Sequence, residues 1–311
     1  MVTNRSVSGR VVKVSGRLFH VKTDDGLVIC SVRQTVKDTA EHELSPVVVG
    51  DIVNVTVDEV APSEGEQRHG VIESVIPRKT RFIKRKSGLR KEKTQVVVSN
   101  IDQMIIVASV RNPAFKMRLI DRFIIAAYQG EMKPVLIVNK TDLNHTLDLD
   151  RIKSIYRTVN VTVLEVSAVS GNGVSDLRDI LKGNESVFVG QSGVGKSSLL
   201  NAIQPGLSLK IGVVSGKTGK GKHTTTVVEL FPLDIGGFIV DTPGLRALGL
   251  TKLDRNHVDM FYDEIQEAST RCRFSDCSHV EEPGCAVKEA VDRGEIFRER
   301  YESYIRILED L

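Results

Sequence analysis

The sequence predicts an α/β protein in three parts: an N-terminal closed β-barrel, a domain built on a mainly parallel sheet, and a small C-terminal helical module. Three observations predict it. Five short apolar strands recur in the first 76 residues, separated by turn residues. From residue 94 onward strands alternate with helices, the mark of a parallel α/β sheet. Near the end, Cys272-x4-Cys277-x-His279-x5-Cys285 places three thiols and one imidazole within 14 positions.

The chain has 311 residues, a formal net charge of +3, four Cys and no Trp. That length holds two or three domains and a sizeable core. The near-neutral total excludes a protein that is basic throughout, so a polyanion-binding surface must be local. With no Trp and few aromatics, base stacking on exposed rings is excluded as a main binding mode. No window approaches about 18 uncharged apolar residues and the N-terminus has no signal-peptide apolar region, which predicts a cytoplasmic protein. Cys30 stands alone in an apolar run. In a reducing compartment the other three cysteines with His279 predict a metal site rather than disulfides.

Residues 1–76 carry the barrel strands at 9–14, 18–21, 27–32, 51–57 and 70–75. Five strands in this length suit an OB-fold, which often binds nucleic acid, although the fold alone does not establish that. Residues 77–93 form a basic connector with nine Lys and Arg against one acid, Glu92. Such a run is either a solvated linker or a contact for a phosphate backbone, and the second reading is favoured. Residues 94–247 form the α/β domain. Strands at 104–109, 134–138 and 161–166 alternate with helices at 117–129 and 149–158, and Leu119, Ile120, Phe123, Ile124 and Ala127 fall at helical spacing. A strand at 186–189 precedes a glycine-rich turn and a helix from Ser198, and strands at 227–231 and 237–240 form a hairpin. Residues 248–311 hold a helix near 254–268, the Cys/His cluster, and helices at 286–293 and 295–309 whose Arg293, Arg298, Arg300 and Arg306 face RNA phosphates or solvent.

The turn Gly190-Gln191-Ser192-Gly193-Val194-Gly195-Lys196-Ser197 fits the phosphate-binding pattern G-x-x-x-x-G-K-[ST] in its proper strand–turn–helix context. Its glycines let successive N–H groups, through Ser198, point at phosphate oxygens beside a helix N-terminus. Lys196 would neutralise the β- and γ-phosphates, and the Ser197 hydroxyl would ligate Mg²⁺. Asn139-Lys140-x-Asp142 fits N-K-x-D, which reads guanine: a carboxylate accepts from ring N1–H and the exocyclic amine at once, and adenine offers neither donor in that geometry. The Lys140 stem would pack over the base, and Asn139 would tie this loop to the phosphate loop. Ser167-Ala168 after the next strand would offer backbone N–H to guanine O6. Downstream, Asp241-Thr242-Pro243-Gly244 fits D-x-x-G. Asp241 would hold a Mg²⁺-bound water and the Gly244 amide would sense the γ-phosphate. Between these motifs a polar loop contains Thr224, Thr225 and Thr226, one of which, with Thr225 preferred, would place a hydroxyl on Mg²⁺.

The order of these motifs differs from that of a Ras-like GTPase, in which the phosphate loop comes first. Here N-K-x-D and Ser167-Ala168 precede it. Each motif still follows a strand at the C-terminal edge of a parallel sheet, so a circularly permuted chain assembles the same site. With the barrel, the permuted motifs, Gly219-Lys220-Gly221-Lys222-His223-Thr224-Thr225-Thr226 and the Cys/His cluster, the chain resembles the RsgA (YjeQ) family over nearly its full length. The resemblance implies a GTPase of small-ribosomal-subunit maturation that binds the 30S subunit and its 16S rRNA, works as a monomer, and is stimulated by the ribosome. In that family similar Cys/His spacing binds zinc and helps engage ribosomal RNA. The residue chemistry agrees with zinc, since Cys272, Cys277, His279 and Cys285 form a closed tetrahedral set suited to a structural ion.

Leu245 stands where Ras-like enzymes place the Gln that orients the attacking water, which predicts slow intrinsic hydrolysis. Either His223 in the polar loop completes the site, or the ribosome orders the loops and supplies the missing group. Because the D-x-x-G segment runs directly into the zinc module, a shift at Gly244 would reorient that module. Two other readings stay open: a GTP-regulated factor for another RNA, and a non-catalytic RNA-binding scaffold with a vestigial nucleotide site. The presence of Lys196, Ser197, Asp241 and the three threonines weighs against the scaffold, and N-K-x-D weighs against an ATP-dependent kinase.

Overall fold

The computed structural model describes residues 4–39, 45–58, 67–85, 94–207, 228–241 and 255–311. Strands β1 (Asn4–Ser15), β2 (Leu18–Thr23) and β3 (Gly26–Val32), helix α1 (Gln34–Thr39), and strands β4 (Ile52–Asp58) and β5 (Arg68–Val75) build the first part. The strands run in the order β1-β2-β3-β5-β4, and β4 pairs back onto β1, so the sheet closes. β3 and β5 pair in parallel while every other barrel pair is antiparallel. Alternation puts Val11, Val21, Val28, Val53, Val55 and Ile72 into a core of its own. The predicted OB-like barrel is therefore present; α1 was not expected from the sequence.

Strands β6 (Arg81–Arg85) and β7 (Thr94–Ser99) pair antiparallel and lie in the stretch read as a connector and just after it. The connector is thus partly built structure. Arg78 shows it too: its Nε and Nη2 donate to Asp51 at 2.7 and 2.9 Å, and Asp51 is fully buried. Asp51 also accepts from Ser99 Oγ and Val48 N, at 2.6 and 2.8 Å. Arg78 is therefore occupied in joining the barrel to the next domain.

The second domain runs β8 (Gln103–Ser109), α2 (Met117–Gln129), β9 (Lys133–Asn139), α3 (Leu149–Arg157), β10 (Thr162–Val166), α4 (Val174–Leu181), β11 (Glu185–Val189), α5 (Lys196–Ile203), β12 (Glu229–Pro232) and β13 (Phe238–Asp241). The sheet order is β10-β9-β8-β11-β13-β12, parallel except for β12. β8 is buried at every position, as a central parallel strand covered on both faces must be. Two apolar clusters flank the sheet, one around α2 and α3, the other around α4 and α5. β12 also pairs with β1 at Lys13 and Glu229, whose side chains form a 2.8 Å ion pair, so the barrel and the α/β sheet are one continuous hydrogen-bonded array.

The last part begins with 3₁₀ turns at Arg255–His257 and Asp259–Phe261, then α6 (Asp263–Ser269), α7 (Ala286–Asp292) and α8 (Arg298–Glu309). The single helix expected near 254–268 is broken into these short pieces. Their core includes Tyr262, Val287, Tyr304 and Ile307, and it takes in Ile125 of α2. The module is thereby docked on α2. Arg300, expected on a surface, is 2% exposed and lies inside that junction.

Candidate nucleotide site and metal centre

The motif residues meet at the C-terminal edge of the parallel sheet. β11 ends at Val189 and pairs with β8 through Val189 and Ile106, so Gly190 lies against Val107. A Cβ on Gly190 would sit 2.2 Å from the Val107 carbonyl oxygen, and its φ of +143° lies where side-chain-bearing residues rarely go. Gly195 has φ +97°, and a Cβ there would meet Asn139 Nδ2 at 2.4 Å. Both glycines are required by close approach of neighbouring backbone or side chains, of strand β8 at Gly190 and of the Asn139 loop at Gly195. Lys196 Nζ donates to the carbonyls of Gly190 and Gln191 at 2.7 and 2.9 Å, which holds the ammonium over the loop. Ser197 stands exposed in the first turn of α5 beside Ser198, and Val194 is buried beneath the loop.

Asn139 joins three motifs. It is 1% exposed; its Nδ2 donates to Val194 O at 2.9 Å and its Oδ1 accepts from Ala168 N at 3.3 Å. The predicted tie between N-K-x-D and the phosphate loop is present. Lys140, held at φ +65°, donates through Nζ to Gly193 O at 2.7 Å and to Asn112 O, so its stem spans from one loop to the other. Asp142 is exposed and accepts from Ser167 Oγ at 2.6 Å. Ser167 contributes more through its hydroxyl than the sequence suggested, because it orients the carboxylate that would read the base. Its own amide is taken by Asn172 O at 2.9 Å, and the Ala168 amide is engaged by Asn139. β13 runs parallel to β11 and ends at Asp241, which brings the start of D-x-x-G to the same edge. His223, Thr224, Thr225, Thr226, Gly244 and Leu245 lie outside the described residues. A cleft of about 1280 Å³ between α2, α3 and α8 opens beside Gln191 and Ser192; along it Arg151 pairs with Glu299 of α8, and Arg122 with Asp310 just beyond that helix, both at 2.8 Å.

The Cys/His cluster is brought together as expected. The ligand atoms of Cys272, Cys277, His279 and Cys285 all lie within 4.8 Å of one another. Cys272 Sγ and Cys285 Sγ are 3.6 and 3.5 Å from His279 Nδ1, and 4.0 Å from each other. A tetrahedron with metal–sulfur bonds of about 2.3 Å and a metal–nitrogen bond of about 2.05 Å has edges of roughly 3.8 and 3.6 Å. The donor set therefore fits a tetrahedral divalent ion. Burial lowers the His279 pKa, which keeps the imidazole neutral and its lone pair free for a cation.

The ionic junction between α2 and the last module escaped the sequence. Arg300 reaches Asp121 of α2 through Nη1 and Glu264 of α6 through Nε, the latter at 2.8 Å. Asp121 also accepts from Tyr156 OH at 3.1 Å, and the guanidinium lies 4.3 Å from the Tyr262 ring centre. Burial drives the Asp121 pKa up, against the pull of Arg300. An acid inside an otherwise apolar helix face, as at Asp121 among Ile120, Phe123 and Ile124, is the signal that marked it.

A permuted P-loop domain with guanine-reading and phosphate-binding loops on one sheet edge defines the chain as a circularly permuted GTPase. The RsgA GTPase family model matches residues 75–251. The small ribosomal subunit biogenesis GTPase RsgA of Chlorobaculum tepidum is 40% identical, the match covering 98% of each chain, and that of Bacteroides fragilis is 35% identical over 98% of this chain and 97% of the other. Among solved structures, YjeQ from Thermotoga maritima superposes with a TM-score of 0.76 at 34% identity, covering 99% of both chains. YloQ, described as a circularly permuted GTPase, gives 0.71 at 25% identity over 98% and 95%. The chain belongs to the RsgA GTPase family.

Proposed function

We propose that this protein hydrolyses GTP to GDP and phosphate in the late maturation of the small ribosomal subunit, and that binding to the 30S particle stimulates its turnover. The observation that carries the reading is Asn139, whose side chain bonds the phosphate loop at Val194 and the Ser167-Ala168 loop at Ala168. That single residue assembles a guanine nucleotide site from motifs in permuted order.

In this reading Asp142, held by Ser167, accepts from the guanine N1–H and amine, and Asn139 and Lys140 hold the base loop. The amides of residues 190–198 and the Lys196 ammonium receive the phosphates. Ser197, Asp241 and Thr225 would hold Mg²⁺, which neutralises phosphate charge when bound. Leu245 cannot orient water, so intrinsic hydrolysis is slow. His223, or a group positioned by the ribosome, completes the site, with the Gly244 amide sensing the γ-phosphate. Cys272, Cys277, His279 and Cys285 hold a structural Zn²⁺. We assign residues 1–76 as the barrel, 77–93 as the connector, 94–247 as the GTPase domain and 248–311 as the zinc module. The barrel and the zinc module contact 16S rRNA, and the protein acts as a monomer in the cytoplasm. Among the described residues no helix is long and apolar enough to cross a membrane.

GTP turnover measured with and without purified 30S subunits tests this function. Stimulation by 30S and not by 50S subunits or tRNA is expected; equal rates in all four mixtures would refute the ribosomal role. His223→Ala separates the two catalytic routes, since unchanged 30S-stimulated turnover removes His223 from the mechanism.

A further inference from the structure

Glu282 sits in sequence between His279 and Cys285, and its carboxylate turns back into the loop that carries Cys277 and His279. Oε1 accepts from the amide and the hydroxyl of Ser278, at 2.9 and 2.5 Å. Oε2 accepts from the amides of Val280 and Glu281, at 3.1 and 3.2 Å. All four partners are donors, and each oxygen takes two of them. On the carbonyl side, Tyr301 OH donates to His279 O at 2.7 Å and Tyr304 OH to Ser278 O at 3.2 Å, both from α8. Between these two grips His279 is held at φ +63°, a left-handed conformation that costs a residue with a side chain on the order of 1–2 kcal/mol. The loop thus carries strain at a ligand, and the bonds on either side of that ligand oppose it.

We propose that Glu282 is a positioning residue of the metal centre, which pre-forms the Cys277–His279 ligand loop and thereby sets the affinity for zinc. This rests on the reading of the cluster as a zinc site. The physical basis is preorganisation. A loop already shaped for the ion does not have to be ordered when the ion binds, and outer-sphere partners of this kind are worth about 10- to 100-fold in metal affinity. Only a carboxylate serves. An amide of the same shape would turn one acceptor into a donor: facing Ser278 it leaves the Ser278 N–H unpaired even if the hydroxyl reverses to accept, and facing the other way it leaves the amides of Val280 and Glu281 unpaired.

The full-length protein is loaded with zinc and titrated against a chromophoric chelator, for the wild type, Glu282→Gln, Glu282→Asp and Ser278→Ala. Cobalt replaces zinc in parallel so that the visible ligand-field bands report the ligand set. One tightly held zinc per wild-type chain is expected; a wild type that holds none refutes the zinc reading itself, separately from the proposal. Glu282→Gln should weaken zinc about 10- to 100-fold while the saturated cobalt spectrum stays that of three sulfurs and one nitrogen. Ser278→Ala should lose a few-fold, and Glu282→Asp should recover part of the loss. Zinc affinity within twofold of wild type in Glu282→Gln overturns the proposal, and so does a changed cobalt spectrum, which would make Glu282 a ligand. If Glu282→Gln does not fold, wild-type affinity in both Ser278→Ala and Glu282→Asp overturns it.

Discussion

Replacing Arg300 with Met removes the charge and its hydrogen bonds while leaving an unbranched apolar chain in much of the same space. The Arg300 side chain is 2% exposed, Asp121 is fully buried, and the Glu264 side chain is 14% exposed. Without the guanidinium, Asp121 keeps the Tyr156 and Ser303 hydroxyls beside it but no positive charge, and becomes an uncompensated buried carboxylate. Breaking a buried pair in this way costs about 3–5 kcal/mol. At about 1.36 kcal/mol per tenfold, the protection of amides in α8 and α2 against hydrogen exchange should fall by roughly two to nearly four orders of magnitude. The variant is measured with zinc in excess at pH 8 and pH 5.5. The folded pKa of Asp121 lies above its unfolded value, so its contribution is greatest at low pH and is lost as pH rises. The deficit of Arg300→Met should therefore shrink toward acid pH as Asp121 takes up a proton. Adding Asp121→Asn should restore at least ~1 kcal/mol, because no buried charge then remains on α2. A loss below ~1 kcal/mol, or a double variant less stable than Arg300→Met, would refute the view that this ion cluster holds the last module to α2.

Asp142→Asn should weaken GTP binding about 10- to 100-fold, because the amide cannot accept from both guanine donors, and should raise affinity for xanthosine triphosphate, whose C2 carbonyl accepts from the new amide; competition against a fluorescent nucleotide reads both. Chelation of zinc should remove the circular-dichroism signal of α6, α7 and α8 while GDP affinity stays within a few-fold, since none of the nucleotide motif residues lies on those helices. Burial and the neighbouring Asp102 push the Glu185 carboxyl up to about 7, despite its 2.9 Å contact with Arg10 of the barrel. Its folded pKa exceeds its unfolded one, so this group favours the folded state at low pH and that preference is lost as pH rises through about 7. Urea midpoints should fall more between pH 5.5 and pH 8 in the wild type than in Glu185→Gln, and an equal fall in both would contradict this.

Much of the nucleotide site was readable because its chemistry is local. A phosphate loop needs glycines, a Lys and a Ser within eight positions, and that need is written in residues 190–197. Helix α2 was legible to the residue because Ile120, Phe123, Ile124 and Ala127 keep a strict helical period. The role of Arg78 in the connector was not legible for the opposite reason. A run of Lys and Arg looks the same whether it meets phosphate or carboxylate, and only the fold reveals that Asp51 lies 27 positions before Arg78 in sequence yet within hydrogen-bond reach. The long helix expected near 254–268 failed because short 3₁₀ turns carry no distinct period.

By itself the sequence determined which reactive groups the protein possesses. It holds an N-K-x-D motif, a phosphate-loop pattern, and three thiols and an imidazole at metal-ligand spacing. These are short-range requirements of chemistry, and they stand whatever the order of the strands. Tertiary structure decided how the parts are joined. It made β1 a strand of both the barrel and the α/β array, placed Asn139 between two loops, set Arg300 under α2, and turned Glu282 back on its own metal loop. Such contacts arise from burial and from the pairing of polar groups that burial isolates from water, and residues far apart in the chain meet only once the core has formed.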